Sequence, residues 1–100
     1  MYEDLPYEIR DDLAQAHLAA WAHLSRPGTW FDAATRLAIA HESRLACACK
    51  RCHAAKVALS PNADLGPALA RHDHSGALSE GLTEIVHRIR TDAARITADW

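Results

Sequence analysis

The chain has 100 residues, a net charge of −2 and 49% apolar side chains, which is one domain's worth of sequence. Its charges are not segregated, so no basic stripe points to nucleic acid, and no apolar run approaches the roughly 20 residues of a membrane span. Alanine dominates, glycine is scarce and no β-branched run occurs, which favours helix over sheet.

The N-terminal "MYEDLPYEIRDD" is acidic, has no apolar stretch and is not a secretory signal. The expected compartment is the cytoplasm, where thiols stay reduced. Asp4 is placed to cap a helix starting near Pro6. Ile9, Leu13, Ala16, Ala20 and Leu24 then mark one apolar face. "SRPGT" (25–29) ends that helix, and Asp32 is the next N-cap. An alanine-rich helix follows through Leu37, Ile39, Ala40 and Leu45, and no Gly or Pro decides whether it runs unbroken to Leu59. Residues 60–76 are turn-rich with room for one short helical turn. Ser79 caps a last helix with Leu82, Ile85, Val86 and Ile89 on one face, continued or restarted after Thr91. The apolar pattern runs up to Trp100, as expected of the front part of a longer chain or of an end packed on another subunit. The fold expected is all-α, a bundle of three or four helices forming a single domain over 1–100.

The chemistry concentrates in "CACKRCHAAK" (47–56), which holds all three cysteines. On a helix, Cys49 and Cys52 share a face with Cβ atoms roughly 5–6 Å apart. A disulfide needs about 3.5–4.5 Å, a gap that the first turn of a helix closes more easily than its middle. Cys47 points elsewhere. His53, four residues after Cys49, and Lys56, four after Cys52, are placed to stabilise thiolates, with Lys50 and Arg51 nearby. A helix starting near Cys49 would add its N-terminal partial charge.

Other readings use the same stretch. The cysteines can be small core residues. Zinc can be held by Cys47, Cys49, Cys52 and His53 joined by His72 or His74 of "RHDHSG". "CKRCH" (49–53) matches the c-type haem attachment pattern, with a histidine as the other axial ligand because the only methionine is Met1. His41 beside Glu42 reads as a surface pair, His17 and His23 as solvated. His87 reads as a cation near the C-terminal carbonyls of the last helix, and "HDH" (72–74) as either a polar turn or the rim of a site.

Residues 29–61, "TWFDAATRLAIAHESRLACACKRCHAAKVALSP", resemble the cysteine-bearing core of the alkylhydroperoxidase D / carboxymuconolactone decarboxylase family. The likeness rests on "RLAIA" (36–40) leading into "CKRC" (49–52). "RPGTW" (26–30) and "HRIRTD" (87–92) resemble an alkylhydroperoxidase-related subgroup, so the likeness spans roughly 20–98. It implies a helical, oligomeric protein that acts as a thiol peroxidase or disulfide oxidoreductase. Its substrate would be a peroxide or a disulfide, its reductant a protein or small thiol, and it would need no cofactor or metal. By that resemblance Cys52 attacks peroxide and Cys49 resolves the product. The family's relay histidine falls on Lys56 and its relay glutamate on Leu37. Glu42 is the carboxylate nearest the cysteines, but on a continuous helix it lies about 10.5 Å along the axis from Cys49. The expected site is therefore Cys49, Cys52, His53, Glu42 and Lys56. The alternative is a non-enzymatic metal- or haem-binding module built on Cys49, Cys52 and His53.

Overall fold

The computed structural model describes residues 2–59 and 63–100. Met1 lies outside them, as do Ser60, Pro61 and Asn62, where the expected turn begins. The described residues form four α-helices and no strand: α1 (Asp11–Leu24), α2 (Ala33–Ala46), α3 (Lys50–Val57) and α4 (Glu80–Asp92). The expected short helical turn is the 3₁₀ turn Pro67–Leu69, and a second one, Ala93–Arg95, continues α4. No helix among the described residues is long and apolar enough to cross a membrane.

Two compact units divide the chain, Met1–Arg36 and Leu37–Trp100. In the first, α1 starts at Asp11 and not near Pro6. A separate turn occupies the preceding segment, with the Leu5 amide donating to Tyr2 O at 3.2 Å, and Arg10 is the extended residue ahead of the helix. Asp11 and Asp12 sit in the first turn, where negative charge meets the positive helix end. The expected apolar face exists but is not covered: α1 buries no residue, and Leu13 and Leu18 are about half exposed. Asp32 caps α2 as expected, its Oδ1 accepting from the Thr35 amide at 2.8 Å.

In the second unit, Ser79 caps α4 by accepting from the Leu82 amide at 3.2 Å. The buried side of α4 differs from the expected one. Ile85 and Ile89 are exposed, while Thr83, Val86, His87 and Arg88 face inward. The helix is turned to bring a histidine inside, and the reason lies in what that histidine meets.

Candidate functional site

The α2–α3 continuity left open by the sequence is resolved by a break at 47–49. Tight backbone bonds close α2, the amides of Cys47, Ala48 and Cys49 donating to Arg44, Leu45 and Ala46. Cys49 is the extended N-cap of α3 (φ −68°, ψ 120°) and Cys52 lies in its first turn. Asp73, from the loop before α4, accepts from the Lys50 amide at 2.9 Å and so supplies a negative charge at the start of α3. The Asp73 amide in turn approaches Cys49 Sγ at 3.4 Å.

This loop brings His72 to the sulfurs. His72 Nδ1 lies 3.5 Å from Cys49 Sγ and 3.3 Å from Cys52 Sγ. From α4, His87 Nδ1 lies 3.2 Å from Cys52 Sγ. Both imidazoles are backed by carboxylates. His87 Nε2 donates to Glu42 Oε1 at 2.7 Å, and His72 Nε2 donates to Glu84 Oε2. An ionised carboxylate only accepts, so Nε2 carries a proton in each ring, and in a neutral ring the Nδ1 lone pair faces sulfur. The remaining Glu42 oxygen accepts from the Ser75 amide at 3.0 Å and from Ser75 Oγ at 2.6 Å. Gly76, at φ 81°, lets the loop turn away immediately afterwards.

Burial is severe. His87, Glu42 and Cys49 are the largest fully buried side chains, and Cys52 is 8% exposed. Burial pushes the Glu42 carboxyl up, but the hydrogen bonds from Ser75 and His87 outweigh it and hold the group below its ordinary range. Burial lowers His72, with Glu84 opposing. Burial, with Cys49 and Glu84 close by, pushes the Cys52 thiol up to about 12. Cys52 therefore holds its proton at neutral pH until a base or a cation takes the proton's place. A cavity of about 20 Å³ adjoins Cys52, lined also by His72, Glu84, Arg88 and Thr91. A larger cleft of about 330 Å³ shares Arg51, His72 and Glu84 with it. Arg88 is buried, and its Nε has no hydrogen-bond partner among the described residues.

Of the expected site residues, Cys49, Cys52 and Glu42 come together. Glu42 is fully buried and not half of a surface pair with His41, which is exposed. It reaches Cys52 through His87, so the axial distance along α2 is no obstacle. His53 and Lys56 do not join the site. Because Cys49 is an extended cap, His53 shares no helical face with its sulfur. Only the His53 amide bonds back, to Cys49 O, and the ring is exposed. Lys56 is exposed and donates to Thr91 O at 3.2 Å. The haem-attachment pattern is likewise split, its histidine outside and its cysteines inside. Cys47 is exposed, as expected of the spectator. His72 appears among the sequence candidates as a metal ligand and, within "HDH" (72–74), as a polar turn or the rim of a site, and His87 was missed. The signal for His87 was a histidine directly after Val86 and one turn past Thr83.

No family model, curated protein or solved structure matches this chain.

Proposed function

We propose that the chain is a thiol-dependent peroxidase or disulfide oxidoreductase, working through reversible oxidation of Cys49 and Cys52. One observation carries this reading: a buried Cys52–His87–Glu42 chain beside a second thiol, at the start of a helix. A carboxylate that orients an imidazole, which in turn faces a nucleophilic sulfur, is the arrangement that activates a weak nucleophile. Here His87 and Glu42 supply the functions that the family resemblance assigns to the positions of Lys56 and Leu37.

In the first step His87 Nδ1 takes the Cys52 thiol proton as the sulfur attacks one peroxide oxygen. The O–O bond breaks, and the departing oxygen takes that proton and leaves as water or an alcohol. Cys52 is then a sulfenic acid. In the second step the Cys49 thiol gives its proton to His72 Nδ1 and attacks Cys52 sulfur. The S–O bond breaks, the leaving hydroxide takes that proton from His72 and departs as water, and the Cys49–Cys52 disulfide is formed. Two equivalents of an external thiol, or one dithiol, return the pair to the reduced state and carry away its oxidising equivalents. The two sulfurs lie within 4.8 Å of each other, and the first-turn position of Cys52 lets them close. The small cavity at Cys52 has room for about one water-sized molecule, which suits hydrogen peroxide better than a bulky hydroperoxide. Arg88 is placed to stabilise the departing oxyanion. A reducing cytoplasm and a homo-oligomer complete the proposal. The oligomer is favoured because the exposed Ile85 and Ile89 leave an apolar stripe on α4.

The test is peroxide consumption by reduced protein with a thiol reductant, followed by disulfide mapping. Cys52→Ser should abolish turnover, and His87→Gln should slow it by roughly 10²–10⁴-fold, the usual loss of a general base. His53→Ala should not change it. Full activity in His87→Gln, or a main disulfide containing Cys47, would sink the proposal.

A further inference from the structure

We infer that Cys49, Cys52, His72 and His87 together form a four-ligand site for a divalent metal ion of the zinc class. The inference stands on donor geometry; it uses the same four side chains as the dithiol chemistry, which therefore belongs to the metal-free form. One ligand atom from each residue lies within 4.8 Å of the other three. The sulfur–nitrogen separations of 3.2, 3.3 and 3.5 Å are edges of one compact polyhedron. Zn–S bonds of about 2.3 Å and Zn–N bonds of about 2.0–2.1 Å at tetrahedral angles give edges of roughly 3.4–3.8 Å. The three sulfur–nitrogen separations are within a few tenths of an ångström of that shape, and the other three pairs, all within 4.8 Å, draw in as the ion binds.

The chemistry of the donors agrees. Two thiolates neutralise a divalent cation, and two neutral imidazoles complete a soft N/S set that selects zinc over calcium or magnesium. Both rings already present Nδ1 lone pairs inward, because Glu42 and Glu84 hold the Nε2 protons. Such carboxylate–histidine pairs are the outer partners that orient metal ligands. The Asp73 amide on Cys49 Sγ supports a thiolate there. Four protein ligands leave no open position, so the bound ion is structural. That fits a unit whose buried apolar residues are Ala46, Val86 and the two cysteines alone among the described residues. Where so little apolar surface is buried, metal-binding energy becomes folding energy.

The ligand set differs from the one that sequence reading offered for zinc. Cys47 and His53 are outside it, and His87 is inside.

The experiment uses the whole reduced chain, stripped with a chelator and titrated with Co²⁺ and then Zn²⁺. One equivalent of Co²⁺ should give the intense visible bands of tetrahedral thiolate coordination, and Zn²⁺ should displace it. The melting temperature should rise with Zn²⁺ concentration. Cys49→Ser and His72→Ala should lose the bands, whereas Cys47→Ser and His53→Ala should keep them. Glu84→Gln retains every donor atom and should weaken binding by roughly 10–100-fold. Helix content by circular dichroism accompanies each variant, and if His72→Ala fails to fold, Glu84→Gln decides. Absence of the bands in the parent overturns the inference. So does their survival in a folded His72→Ala, their loss in Cys47→Ser, or parental affinity in Glu84→Gln. Because no peroxide enters the assay, a protein that binds Co²⁺ but forms no disulfide refutes only the oxidoreductase reading. One that forms the disulfide but binds no Co²⁺ refutes only the metal site.

Discussion

Helix α1 and the cysteine cluster treat burial in opposite ways. α1 carries a regular apolar face, yet none of its residues is buried and Leu13 and Leu18 are each about half exposed. The cluster is made of groups that prefer water, yet Glu42 and His87 are 0% exposed. Ordinary folding buries apolar surface and leaves ionisable groups outside, because an unpaired buried charge is costly. In the second unit that cost is offset by mutual pairing: Glu42 is satisfied by His87 and by both donors of Ser75. The lesson is that interior space here follows chemistry more than hydropathy. The stability of this unit therefore depends on a polar network being complete.

The sharpest way to break the contrast is to remove one member of that network. Glu42→Ala leaves His87 buried without its carboxylate and frees the Ser75 donors. Leaving a buried donor without its partner costs about 1–3 kcal/mol, a large share of the stability of a domain this small. Leu18→Ala in α1 should stay within about 0.5 kcal/mol, as exposed substitutions usually do. Urea midpoints for the two variants measure the difference, and equal midpoints would remove the basis of the comparison.

A second measurement compares the three thiols within one short segment. Cys47 is exposed, whereas Cys49 and Cys52 are buried. In the native reduced protein Cys47 should alkylate at least roughly tenfold faster, because the other two wait for local opening. Mass mapping of partly labelled protein reads this directly. Early label on Cys52 would mean that the cluster is open in solution.

These elements also show what was legible in the residues alone. Helix class, the caps at Asp32 and Ser79 and the closeness of Cys49 to Cys52 were all readable, because each rests on neighbours within about a turn. The start of α1 was misread because Pro6 and Asp4 form a good local signal that a turn at 2–5 overrides. The Cys52–His87–Glu42 hydrogen-bond chain was only partly readable. Glu42 was on the page, but its link to Cys52 passes through His87, 45 residues from Glu42 and 35 from Cys52. No helical periodicity carries information over that separation. His53 and Lys56 were overvalued for the converse reason: sequence proximity to a cysteine stood in for geometry.

A smaller effect tests how far the network depends on the position of α4. Ser79 caps the helix that carries His87. Ser79→Ala should cost about 1 kcal/mol, the usual value of an N-cap. Asp32→Ala removes the equivalent cap on α2 and should cost a similar amount. If the chemistry depends on α4 register, Ser79→Ala should also make Cys52 more accessible to alkylation, and Asp32→Ala should do so less. Equal accessibility in both would show that the network holds α4 without help from its cap.

The smallest expected effect belongs to the residue on which the metal, haem and redox readings of the sequence all converged. His53→Ala should change stability by less than about 0.5 kcal/mol and leave the alkylation of Cys49 and Cys52 as it was. The reason is geometric. A helical residue reaches its neighbour four positions back only if both have helical backbone, and Cys49 is extended at ψ 120°. Its sulfur lies 3.5 Å from His72 Nδ1, while His53 is exposed. His72→Ala, made in parallel, removes the group facing both sulfurs and should alter the reactivity of each. Rates for the two histidine variants, with Cys47 replaced by Ser in both, separate proximity in sequence from proximity in space. A large change in His53→Ala with none in His72→Ala would mean that Cys49 spends its time inside a longer α3, turned toward His53 and not toward His72.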